Sequence, residues 1–163
     1  MPTKKTPQQR RPRNRVVVQR AVPAALSVPS ARLLRRYARI AATAGCDITL
    51  RVVGSVESKR LNSRYRRKAR PTNVLSFPYQ SRPLEGDVVL CHPVIAREAK
   101  AQGTTLAAHY AHLVVHGVLH LRGHDHLREN DATRMEKTEI RLLRRLGFAD
   151  PYSENAAVHE AVK

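Results

Sequence analysis

Residues 105–123 constrain this chain more than any other segment. Leu106, Tyr110, Leu113, Gly117 and Leu121 recur at three-to-four spacing, the period of a helix that buries one face. Gly123 is placed to end that helix, because a left-handed residue costs least there. His116 and His120 stand four residues apart, so both imidazoles project from one face and can reach a single ion. The sequel HGVLHLRGHDH adds a third group: once Gly123 turns the chain, His126 can return over the same face. His109 and His112 share that face one to two turns further from Gly123, and are read as core residues or as groups standing behind the ligands.

Borderline-soft nitrogen ligands suit zinc, and three protein ligands leave a fourth position open for water, the pattern of catalytic rather than structural zinc. Water in such a site has its pKa lowered towards roughly 7, which is what a hydrolase needs at neutral pH. The expectation is one Zn²⁺ per chain. A bare His-x-x-x-His pair is as often an ordinary pair of half-buried residues; the glycine stop and the third histidine weigh against that here. From the metal alone, two other functions stay open. A zinc peptidase uses His-Glu-x-x-His with the glutamate as general base, but that position is Gly117. A non-catalytic RNA-binding module would use zinc only for stability.

The rest of the chain alternates strand and helix signals. Residues 15–19 read as a strand and 30–43 as a helix, with Ser30 as its cap and Leu33, Leu34, Tyr37 and Ile40 as its inner face. Residues 47–53 alternate Ile48, Leu50 and Val52 with polar or smaller neighbours, the period of a half-buried strand. A helix over 55–65 leads into a basic loop of Arg66, Arg67, Lys68 and Arg70, closed by Pro71. Strands follow at 73–79 and 87–91, separated by a turn around Pro83 and Gly86, then helices at 92–102, 105–123 and 131–146. Four strands and five helices make an α+β domain over 15–150. Residues 1–14 lack apolar periodicity and are read as a disordered basic tail, and 151–163 as a C-terminal tail.

Charge narrows the partners. There are 30 Lys and Arg against 13 Asp and Glu, a formal +17. Residues 1–70 hold 19 of the basic side chains and only Asp47 and Glu57 as acids, whereas the remainder holds 11 of each and is neutral. A surface built by the first part therefore attracts polyanions. No basic amphipathic stretch ends in an apolar anchor, which favours nucleic acid over lipid. Two cysteines, Cys46 and Cys91, suit a reducing compartment. No apolar run approaches the roughly 18 residues of a membrane span, and Pro23 breaks the short stretch that a signal peptide would need. A cytoplasmic protein with no membrane partner is expected.

HLVVHGVLHLRGHDH at 112–126 resembles the signature segment of the bacterial YbeY endoribonucleases. LNSRYR at 61–66, RPTNVLSFPY at 70–79 and GDVVLC at 86–91 resemble that family's other motifs in order, so the likeness runs over about 15–147. It implies a mixed sheet of about four strands packed with helices, and a single zinc held by His116, His120 and His126 on a central helix. The neighbouring His124 is passed over because His126 matches the motif. The implied activity is cleavage of single-stranded RNA in ribosomal RNA processing, including 16S 3′-end maturation and ribosome quality control on pre-ribosomal particles. The family's key arginine falls on Arg66, where a guanidinium clamps a phosphate, so Arg66 and His116 are the catalytic expectation. Asp125 and His112 would orient ligand imidazoles, and Arg67, Lys68 and Arg70 would grip RNA.

Overall fold

The computed structural model describes residues 14–124 and 128–153. Nine elements are present among them: β1 (Arg15–Arg20), α1 (Ala31–Ala41), β2 (Asp47–Val53), α2 (Ser55–Arg66), β3 (Val74–Ser81), β4 (Leu84–Cys91), α3 (His92–Gln102), α4 (Leu106–Leu121) and α5 (Glu129–Arg145). The expected α+β architecture is the observed one, with one mixed sheet in the order β1-β2-β4-β3. β1, β2 and β4 run parallel, with Val18 opposite Leu50 and Leu50 opposite Val88, and β3 pairs antiparallel with β4, Ser76 opposite Val88.

Alternation along the strands divides the core. Ile48, Leu50 and Val52 of β2 and Val88 and Leu90 of β4 face the larger cluster, which α1, α4 and α5 cover. Val53, Val89 and Cys91 face the other way, joining Leu75, Val94, Leu61 and Phe77 beneath α2. Helix α4 is buried on nearly every side, so its apolar residues are not confined to one stripe. It lies against α1, α3, α5 and the β3–β4 ribbon. Such a central helix holds its side chains rigidly, which suits a metal site.

Three local expectations change. Gly86 is not in the turn but inside β4, where a Cβ would stand 2.6 Å from Leu121 Cδ2; the turn is made at Arg82 and Pro83. Arg66 closes helix α2 instead of opening the loop, and Arg67 takes the left-handed conformation that stops it (φ 56°). The inner face of α1 is Leu34, Tyr37, Ala38 and Ala41, while Leu33 turns outward. Ser30 does cap this helix, its Oγ accepting from Leu33 N at 3.3 Å. Arg122, a residue of the basic turn after α4, reaches back to the last turn of α1 and donates to Ala41 O (3.0 Å), which fixes the end of α4 in place. No described helix is long and apolar enough to cross a membrane.

Candidate metal and nuclease site

Helix α4 presents His109, His112, His116 and His120 along one flank as a ladder of rings, with centroids 6.3, 6.3 and 4.6 Å apart in turn. The two histidines expected as ligands on this helix converge: His120 Nε2 lies 3.0 Å from His116 Nε2. Two nitrogens bound to one tetrahedral zinc at about 2.0–2.1 Å would lie roughly 3.3 Å apart, so this pair fits a shared ion. Gly123, with φ +86°, turns the chain after α4, and the backbone N–H of Gly123 and His124 bond to His120 O and Leu119 O (both 3.0 Å). His126 and Asp125, expected as third ligand and orienting acid, lie outside the described residues.

Behind the histidines stands a group that the sequence reading missed. Glu139 of α5 is completely buried, and its Oε1 is 2.5 Å from His116 Nδ1 while its Oε2 is 3.1 Å from His112 Nε2. The Tyr152 hydroxyl donates to Oε2 as well, in a very short contact. Burial alone would push this carboxyl up. The hydrogen bonds from His112 and His116, the charge of His116 and the Tyr152 hydroxyl outweigh burial and hold it down at about 2. Tyr152 is pushed in the opposite direction, above the ordinary tyrosine range, first by burial and then by its bond to Glu139. An ionised carboxylate cannot donate, so His116 donates through Nδ1, and Nε2, turned toward His120, is the nitrogen that would ligate a metal. His112, His116 and Glu139 also lie near enough to hold a metal themselves, their ligand atoms all within 4.8 Å.

Glu139 carried a signal in the sequence: it sits with Met135, Leu142 and Leu143 on the buried face of an amphipathic helix, where a carboxylate is costly unless it is paired. Tyr152 carried none, since it lies beyond the last helix and its role depends on where the chain turns.

His112 stands behind His116 through a shared carboxylate. His109 does not join the cluster; its Nε2 pairs with Glu98 Oε2 at 2.7 Å. Arg66 is exposed, and its side chain makes no hydrogen bond or ion pair among the described residues. Arg67, Lys68 and Arg70 are exposed too, on a loop fastened to α2 from below: Asn62 Nδ2 donates to Arg70 O (2.8 Å), and Ser58 Oγ to Thr72 O (3.0 Å). That loop runs on to Asn73, which lines the same cleft as His109, His112, His116 and Tyr152. Gly117 faces away from this cleft, for a Cβ there would stand 2.7 Å from Val88 Cγ1 in the sheet. The position a peptidase gives to its glutamate therefore opens into the core.

A family model described as "Endoribonuclease YbeY" matches residues 25–147. Endoribonuclease YbeY of Nitrosomonas europaea is 47% identical over 126 residues, covering 77% of this chain and 77% of its own. That of Aromatoleum aromaticum is 48% identical over 141 residues, covering 85% and 92% respectively. Among solved structures, the solution structure of a Thermotoga maritima protein superimposes with a TM-score of 0.54 at 21% identity, over 87% of this chain and 92% of that one, a likeness of fold. The family match across most of the chain, together with the fold and the converging histidines, places this protein in the YbeY endoribonuclease family.

Proposed function

We propose that this chain is a cytoplasmic zinc-dependent endoribonuclease that cuts single-stranded RNA during ribosomal RNA processing, at the 16S 3′ end and in the quality control of ribosomal particles. The observation that carries the metal assignment is the meeting of His116 Nε2 and His120 Nε2, with His116 Nδ1 held by an ionised buried carboxylate. His116, His120 and His126 would hold one zinc ion per chain. Bound there, zinc supplies Lewis-acid polarisation of a phosphoryl oxygen and acidifies an attacking water. The protein's own part is to fix imidazole orientation through Glu139, to exclude alternative His116 tautomers, and to bring the phosphate in. Arg66, Arg67, Lys68 and Arg70 stand exposed on and after the end of α2, where guanidinium and ammonium groups meet a phosphate backbone, and Arg66 is assigned the clamp on the phosphate being cut. The naming of the Nitrosomonas and Aromatoleum relatives as endoribonucleases supports RNA as the substrate.

Two variants test this reading. Arg66→Ala should keep its zinc and its melting temperature, because exposed substitutions usually change stability by less than about 0.5 kcal/mol, yet lose cleavage of single-stranded RNA by roughly 10²-fold. His120→Ala should lose metal and cleavage together. Metal content by elemental analysis and cleavage under matched salt separate the outcomes. A parent-like rate in Arg66→Ala would remove the arginine clamp, and RNA binding without cleavage by the metal-loaded parent would make the chain a binding module.

A further inference from the structure

Alongside the histidine ladder, the start of β3, α3, α4 and the segment at Pro151 and Tyr152 enclose a cleft of about 260 Å³. It reaches His109, His112 and His116, so whatever enters it lies against the proposed metal site. Drug-sized pockets run from about 300 to 1,000 Å³, and this one is the size of a single planar ring system. One of its walls is an acid with no part in the chemistry described above. Glu98 of α3 takes Asn73 Nδ2 on both carboxylate oxygens (3.2 and 3.1 Å) and His109 Nε2 on Oε2 (2.7 Å). Burial would push Glu98 up, but the bonds from His109 and Asn73 and the nearby charges hold it below the ordinary carboxylate range. The side chain is nevertheless 30% exposed, and it lines the cleft.

An ionised carboxylate in the cleft of an enzyme for a polyanion repels phosphate. What it accepts is N–H, and Oε1 keeps acceptor capacity that Asn73 alone does not fill. Of the four RNA bases, guanine is the one whose Watson–Crick edge carries two adjacent donors, N1–H and the N2 amine. The other walls suit a base as well. The rings of His112 and Tyr152, which meet edge to face with centroids 5.5 Å apart, border the cleft and offer surfaces for stacking, and Gln102 at the rim has an amide to donate to a carbonyl such as O6.

We propose that this cleft is a base-reading subsite in which a guanine flanking the cut phosphate sets its N1–H and N2 amine against Glu98, making Glu98 a specificity-determining residue positioned by Asn73 and His109. The proposal rests on the endoribonuclease reading, and its test separates the two. The purified full-length protein is given oligouridines that carry a single guanosine or a single inosine, which differ only by the N2 amine. Cleavage is mapped, and the affinity of forms that carry non-hydrolysable phosphonate linkages is measured in parallel. Guanosine should be favoured over inosine by roughly tenfold or more, the effect of one hydrogen bond to a charged group, and cuts should fall at a fixed distance from it. In Glu98→Gln, checked for an unchanged melting temperature, the two oligonucleotides should bind alike. A role limited to clasping α3, α4 and β3 together would leave guanosine and inosine indistinguishable in the parent protein, and that result overturns the subsite without needing the variant. So does a guanosine preference that survives Glu98→Gln. If all the RNAs are cut alike, the nuclease reading stands and the subsite falls; if none is cut but guanosine is still preferred through Glu98, the reverse holds.

Discussion

Glu139 shows how one buried carboxylate sets the state of its neighbours. With both oxygens occupied by His112, His116 and Tyr152, it fixes which His116 nitrogen faces His120 and raises that nitrogen's basicity as a ligand. Replacing it by glutamine keeps the shape but removes the charge, and the amide can accept from only one side. Glu139→Gln should bind zinc some 10- to 100-fold more weakly, the usual effect of losing a partner behind a metal histidine, as read by competition with a chelating dye. The same charge has a pH signature. A carboxyl held at about 2, against an ordinary 4.5, stabilises the fold fully above 4.5, and that contribution is lost as pH falls from 4.5 toward 2. Metal-free Glu139→Gln should therefore be less stable than the parent at neutral pH, and its melting temperature should fall less steeply on acidification. Parallel curves for the two proteins would show that folding does not lower the pKa of this carboxyl.

At the scale of the element, α4 and the β3–β4 ribbon are held close by two missing side chains. Gly117 lets the helix settle where a Cβ would meet Val88, Ser76 and Val74, and its carbonyl takes the Ser76 hydroxyl at 2.9 Å; Gly86 leaves room for Leu121. Gly117→Ala gains about 1 kcal/mol of helix propensity but overpacks a tight contact, which typically costs about 1–3 kcal/mol, and it moves the turn that carries His116. The expected result is lower thermal stability and weaker zinc binding together, measured by denaturant titration and metal competition; a more stable variant would mean the sheet yields easily. These contacts also mark what the sequence made legible. Periodicity and end signals placed all nine elements, because signals such as Ser30 and Gly123 act within one turn of chain. The pair His116 and His120 was legible for the same reason. Gly86 was misplaced because a glycine needed for close approach looks the same in sequence as one needed for a turn. Glu139 and Glu98 escaped because their meaning depends on packing between helices far apart in the chain.

At the scale of the whole molecule, the positive charge belongs to the first part of the chain, and the folded domain already displays much of it. Arg32, Arg36 and Arg39 are exposed on α1, Lys59, Arg60, Arg64 and Arg66 on α2, and Arg67, Lys68 and Arg70 on the loop that leads to the cleft. Residues 1–14 add Lys4, Lys5, Arg10, Arg11 and Arg13 and lie, but for Asn14, outside the described residues. Each phosphate that a cation neutralises on a single strand steepens the fall of log affinity with log salt by about 0.7, so five such cations could add at most about 3.5 to the slope. Deleting residues 1–14 should flatten the salt dependence of RNA binding by some part of that amount and weaken affinity most at low salt. Zinc content and melting temperature should stay as in the parent, since the described core cluster begins at Val16 and the described contacts of the histidine pair lie on α4 and α5. Binding isotherms of one single-stranded RNA at several salt concentrations decide the matter. An unchanged slope would place the whole RNA surface on the folded domain, with the exposed cations of α1, α2 and the loop carrying it, and would leave the arm a device for solubility.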